Sequence, residues 1–258
     1  MIVSTLLVLF FVLISVVYPV RRFFESPYFK LMLKFVCVRA KITNKIKAKS
    51  KIIIGVHVSY IDIMLFHAFF SGSFTAKAEI KKWPLWGWGA IMMQTIFIER
   101  AGRKAVENFI KAGKKAIARG MNVILFPEGT TSRTPMKPFK IGVFKLSKET
   151  NTGIIPVVTN YDDIERAAWV DDMSFAPHVM GMLGSFKTLR VNMTVLEEIS
   201  PEYFENEMQL RDFAREAMQR VYDNETLQHK AVTYNEIFKS EDLSQREIVE
   251  NFIESRGH

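Results

Sequence analysis

The opening stretch of the chain is apolar without interruption. Residues 2–20 carry no charged side chain. As a helix rising about 1.5 Å per residue, nineteen residues come close to the roughly 30 Å of a hydrocarbon core. No basic stretch precedes the run and no small-residue cleavage site follows it, so it reads as an uncleaved anchor rather than a secretory leader. Tyr18-Pro19 also suits a short helix ending within one leaflet, so spanning and monotopic insertion both stay open. The next patch, Phe23 to Val38, mixes Phe, Tyr, Leu and Met with Arg and Lys, the composition of a helix lying in the membrane interface.

Beyond residue 50 the pattern switches repeatedly between short β-branched runs and longer amphipathic stretches. Lys51–Val56, Gly72–Ala76, Thr95–Ile98, Asn122–Phe126, Ile154–Thr159 and Leu189–Leu196 predict strands. Ile61–Phe70, Ala101–Arg119, Ile141–Glu149 and Pro201–Tyr222 predict helices, with Gly120 ending the second. Trp83–Trp88 is an aromatic loop or helix entry, and Pro156 marks its strand as an edge or a bulge. This alternation predicts an α/β fold: a mixed, partly parallel sheet flanked by helices and preceded by the N-terminal membrane-associated segment. The domains read as 1–38 (anchor and interfacial helix), 39–222 (α/β domain) and 223–258 (polar helical tail, expected to be peripheral). Ligands of such sheets bind beyond the carboxyl ends of strands, where His57 and the loop after Phe126 fall.

Charge sharpens this picture. Residues 21–51 hold ten Lys/Arg against Glu25, while the stretch from Glu197 onward has 15 acidic and 7 basic residues. A basic block following an apolar run points to an anionic membrane surface, with the domain on the cytoplasmic face. No nucleic-acid motif accompanies the basic charge, so nucleic acid is not an expected partner. The single cysteine, Cys37, excludes a disulfide framework, and the five histidines show no metal-ligand spacing, so no metal is expected.

Four constellations carry candidate chemistry. The first is His57 followed five residues later by Asp62. An imidazole takes a proton from an alcohol when a carboxylate holds its other nitrogen. Ser59-x-x-Asp62 is equally a capping box, in which Asp62 merely finishes a helix start. The second is Phe126–Arg133 (FPEGTTSR), directly after a strand. There Gly129 permits close backbone approach, and Thr130, Thr131 and Ser132 offer hydroxyls and amides to an anion. A plain polar turn is the simpler alternative. The third is Phe97–Arg100 (FIER), with Arg100 at a strand end. The fourth is the apolar strand around Pro156. No Ser or Cys nucleophile with a neighbouring base is evident, which favours direct transfer over an acyl-enzyme.

In this order the four resemble the glycerolipid acyltransferase family, which includes the 1-acyl-sn-glycerol-3-phosphate and lysophospholipid acyltransferases. The family's hallmark is a His with four residues before an Asp (HX4D), then Phe-x-x-Arg, then Pro-Glu-Gly-Thr, then an apolar strand containing Pro. Ala76–Glu79, Pro84 with Gly87, and Phe139–Phe144 agree as well, so the resemblance covers about residues 35–195. It implies acyl transfer from acyl-CoA or acyl carrier protein, as co-substrate and with no bound cofactor, to a lysolipid hydroxyl in phospholipid biosynthesis. Partners would be that acceptor, that donor and membrane lipids. It implies His57 as general base and Asp62 as its orienting carboxylate, with backbone amides nearby binding the oxyanion. Phe97, Arg100, Glu128, Gly129 and Thr130 would line the acceptor subsite, with Lys77 as a phosphate contact.

Two positions depart from the family pattern. Val56 replaces the usual Asn before the His. Thr131 stands where phosphatidate-forming members often carry Arg, and Arg133 follows two residues later. The leading acceptor is 1-acyl-sn-glycerol-3-phosphate, with lyso-ornithine lipid or another lysophospholipid as the alternative. A non-catalytic lipid-binding protein of the same fold is the reading of a different class.

Overall fold

A computed structural model describes residues 18–44, 46, 48–82, 86–99, 102–134, 136–170, 173–185, 187–228, 231–240 and 242–256. Most of the apolar run at 2–20 and all of Arg100 lie outside the described residues. The described elements are helix α1 (Tyr18–Phe35), strands β1 (Val38–Thr43) and β2 (Ile52–Gly55), α2 (Tyr60–Phe69), β3 (Gly72–Lys77), α3 (Trp86–Met92), β4 (Ile96–Ile98), α4 (Arg103–Ala118), β5 (Asn122–Leu125), α5 (Gly142–Thr150), β6 (Ile154–Tyr161), α6 (Ile164–Ala167), α7 (Phe175–Gly184), β7 (Leu189–Val195), α8 (Glu207–Asp223), α9 (Tyr234–Phe238) and α10 (Gln245–Glu254).

The strands form one sheet in the order β1-β7-β6-β2-β5-β3-β4. Pairing is parallel except between β6 and β7. β6, β2, β5, β3 and β4 therefore point the same way, and their carboxyl ends share one edge. Short, fully buried strands such as Ile52–Gly55 and Asn122–Leu125 suit this arrangement because helices cover both faces. The alternation of strand side chains splits the core in two. Ile52, Ile54, Val123, Leu125 and Val158 face a cluster with Phe109 of α4, Phe144 of α5 and Phe213 of α8. Ile53, Ile124, Ile155 and Val157 face the other way, toward Leu33 of α1 and Ile61, Leu65 and Phe66 of α2.

Pro156 sits inside the sheet, between β2 and β7, so the edge-strand alternative is excluded. The bulge alternative fits: Val157 pairs with Val195, whereas Ile154 bridges Ile199, so three steps on β6 oppose four on the partner segment. The extra residue falls beside the proline, which has no N–H to offer a ladder.

Other differences have plain causes. β1 alternates Val38, Ala40 and Ile42 with Arg39, Lys41 and Thr43, but it lies within the basic stretch, whose charge points to a membrane surface rather than to a strand. The helix expected from Pro201 begins at Glu207, after a single 3₁₀ turn at Pro201–Tyr203, because the Asn206 side chain accepts from the Met208 and Gln209 N–H groups and starts it there. The tail after residue 222 is helical, but it packs into the core instead of lying peripherally. Val232, Tyr234, Ile237, Ile248, Val249 and Phe252 are buried, and the Tyr234, Phe238 and Phe252 rings surround Phe213 at 5.0–5.4 Å. Its apolar residues are few but share one face of each short helix.

α1 packs its inner face on α2. Glu25 and Leu33 are buried, Glu25 Oε1 lies 2.6 Å from His67 Nδ1, and Ser26 Oγ donates to the Ala68 carbonyl at 2.6 Å. Phe29 and Phe74 stack on the two sides of the His67 ring. Phe24, Leu31 and Phe35 remain exposed on the outer face. Among the described residues, no helix is long and apolar enough to cross a membrane.

Candidate active site

The site grows from the shared carboxyl edge of β2 and β5. Two residues after β2 ends, His57 begins a tight turn into α2, and Asp62 lies in the first turn of that helix. The carboxylate of Asp62 is fully buried. Its Oδ2 accepts the Val58 N–H at 2.7 Å and the Ser59 N–H at 2.8 Å, and lies 3.2 Å from His57 Nδ1. Capping and orienting are thus not rival roles: one oxygen closes the helix start and faces the imidazole. A carboxylate only accepts hydrogen bonds, so Nδ1 carries the ring proton and Nε2 keeps its lone pair. The imidazole is 16% exposed, enough to meet a substrate.

The loop after β5 fixes the other side of the ring. Phe126 stacks on His57 with centroids 4.1 Å apart and planes 7° from parallel. Glu128 Oε1 accepts the His57 N–H at 3.3 Å, and Oε2 accepts the Lys137 N–H at 3.0 Å. The Ser132 N–H donates to the His57 carbonyl at 2.9 Å. Burial pushes the Glu128 carboxyl above its ordinary range, against the opposing pull of these backbone N–H groups. Glu128 therefore clamps the His57 backbone to the 127–140 loop. Gly129 takes φ +72°, and a Cβ there would meet Lys140 Nζ at 2.4 Å, so the turn requires glycine.

The remaining expected residues divide. Lys77 and Phe97 end β3 and run along β4 in the register Ala76↔Phe97 and Lys77↔Ile98, on the same edge but two strands and three strands from His57. Lys77 is exposed, and Lys81 Nζ sits 6.0 Å from the Phe97 ring centroid. Thr130 is half-buried and Thr131 buried in the β5 loop. Arg133 turns outward to an exposed ion pair with Glu165 at 3.3 Å. The Val58, Ser59, Gly129, Ser132 and His57 amides are all engaged within the protein, which withdraws them from oxyanion binding. Among the described residues no group of three or more His, Cys, Asp or Glu is placed to hold a metal ion.

Several site residues were not read from the sequence. The Tyr161 hydroxyl, at the end of β6, donates a short hydrogen bond to Asp62 Oδ1. The Trp169 N–H donates to the Val58 carbonyl at 3.1 Å, and Tyr60 Oη lies 3.2 Å from His178 Nδ1 on α7. Tyr161, Trp169 and His178 lie about 100 to 120 positions from His57 in sequence, in segments without a local motif. The one available signal was that Tyr161 ends the apolar strand beside β2.

A buried carboxylate holding an imidazole at the carboxyl edge of a mostly parallel sheet defines an α/β enzyme site built for proton transfer. Residues 37–160 match the family model described as Acyltransferase. A 1-acyl-sn-glycerol-3-phosphate acyltransferase of Neisseria gonorrhoeae is 36% identical over 108 residues, 42% of each chain. A lyso-ornithine lipid O-acyltransferase of Pseudomonas aeruginosa is 31% identical over 171 residues, 64% of each chain. The chain thus spans 42% to 64% of the length of these two relatives. In fold it is similar to the crystal structure of the 1-acyl-sn-glycerophosphate acyltransferase PlsC from Thermotoga maritima. The TM-score is 0.55 at 24% identity, over 86% of this chain and 95% of that one.

Proposed function

We propose that this protein is a lysolipid O-acyltransferase. The observation that carries the reading is the His57–Asp62 pair, with Asp62 fully buried and the imidazole open on one side. His57 Nε2 takes the proton from the acceptor hydroxyl as that oxygen attacks the thioester carbonyl. The tetrahedral intermediate collapses, the C–S bond breaks, and the departing thiolate of CoA or of the carrier protein receives the proton from His57. The ester forms with no change of oxidation state and no bound cofactor. With the neighbouring amides engaged, oxyanion stabilisation falls to the remaining donors of the 128–134 loop, Thr130 and Thr131 among them.

The acceptor named first is 1-acyl-sn-glycerol-3-phosphate. Lyso-ornithine lipid is a second reading, favoured by Thr131 and by Arg133 turning outward to Glu165, which removes a guanidinium from the described part of the loop. Lys77, Phe97, Arg100, Glu128, Gly129 and the threonines belong to the acceptor side in this reading. Glu128 serves through the backbone it holds. The protein acts at a membrane, with its domain on the cytoplasmic face and the outer stripe of α1 (Phe24, Leu31, Phe35) at the interface.

An acceptor panel tests the choice. Purified protein receives labelled acyl-CoA or acyl carrier protein and each lysolipid in turn. Label in phosphatidic acid supports the first acceptor, and label in ornithine lipid the second. Thr131→Arg should shift the ratio toward phosphate-bearing acceptors. No transfer to any lysolipid with either donor would reject the proposal.

A further inference from the structure

We infer that Tyr161 is a positioning residue that holds the Asp62 carboxylate aimed at His57. The inference rests on the acyltransferase reading for its kinetic consequence, but not for its geometry.

Asp62 has no exposure to solvent, so protein donors must replace the water its charge would otherwise recruit. Oδ2 has the Val58 and Ser59 N–H groups besides the imidazole. For Oδ1 the structure shows one donor, the Tyr161 hydroxyl. Tyr161 is the last residue of β6, held in the sheet by pairing with Val191. Its phenol therefore reaches Asp62 from a rigid strand, while the Val58 and Ser59 amides belong to the turn that Asp62 itself caps. Tyr161 thus anchors the carboxylate from outside its own turn.

The phenol stays a donor. Burial, followed by the adjacent Asp62 charge, pushes it well above the ordinary tyrosine range. The other titratable groups around the pair are Glu128, whose Oε1 takes the His57 N–H from the β5 loop, and Tyr60 on α2, pushed up to about 12 by burial. His178 on α7 meets Tyr60 and is lowered by burial.

Losing the Tyr161 donor frees Oδ1 and lets the carboxylate turn away from Nδ1, so the His57–Asp62 hydrogen bond weakens. Tyr161→Phe should keep the ring and delete the hydroxyl.

The test uses the full-length protein in detergent with labelled histidine, the His57 resonances being assigned by their loss in His57→Ala. In Tyr161→Phe the His57 Nδ1–H resonance should move upfield and its proton should exchange with solvent several-fold faster, because its hydrogen bond to Asp62 is no longer held in line. The kcat should fall with it, with the KM for the acceptor little changed. Thermal melts should show the variant folded. An unmoved His57 Nδ1–H resonance overturns the inference, as does a fall in activity accompanied only by a lower melting temperature. If the wild type transfers no acyl group, the proposed function fails while the Nδ1–H resonance still decides the role of Tyr161.

Discussion

At the level of single residues, Asp62 carries the most connections. Its Oδ2 serves the helix start and the imidazole together, so a variant must keep the cap in order to expose the catalytic role. Asp62→Asn does so, because its amide oxygen still accepts the Val58 and Ser59 N–H groups. Transfer rates of this variant should fall by at least one order of magnitude while its melt stays near wild type. The double variant with His57→Ala should be little slower than His57→Ala alone, since a misaligned imidazole and an absent one lose the same step. Strictly multiplicative losses would show that the two residues act separately. The His57-x4-Asp62 spacing was readable because the pair is local. The partners that complete it were not, because Tyr161, Trp169 and His178 come from the β6–β7 region, and only the strand order brings that region beside β2. Arg133 shows the converse: its type and spacing suited an anion, but its side chain finds Glu165 on the surface.

At the level of elements, α1 and α2 form a unit. The buried Glu25–His67 contact, with aromatic rings on both sides of the imidazole, fixes the N-terminal helix to the helix whose first turn holds Asp62. Glu25→Ala strips a buried partner from His67 and should cost about 1–3 kcal/mol, read as a lower melting temperature. An unchanged melt would make the contact incidental. Strands β2 to β7 and helices α2, α4 and α5 were legible from period alone, because each is a clean run of one pattern bounded by polar or glycine positions. β1, α6, α7 and the helices of the tail were not. β1 and α6 are short and charged, α7 carries Pro177, Gly181 and Gly184 that break a helical pattern, and the tail helices are polar in composition, with apolar faces that become evident only once Phe213 offers something to pack against.

For the molecule as a whole, the two sheet faces divide labour. One carries α1 and α2, with exposed Phe24, Leu31 and Phe35 available to an apolar boundary; the other is closed by α4, α5 and α8 to α10. The edge that holds His57 lies between these layers, and the proposed function has a lipid headgroup reach it from the interface. This architecture also explains why the mostly parallel sheet, the order of motifs and the family relationship agree: the β2 turn and the β5 loop are sheet neighbours despite about 70 intervening residues. The most direct measurement is the initial rate of labelled acyl transfer to the preferred lysolipid by wild type and His57→Ala, at equal folded concentration. The account predicts an esterified product from the wild type and a loss of about 10² to 10⁴-fold in the variant, with the fold retained. A variant that transfers the acyl group at the wild-type rate would contradict it.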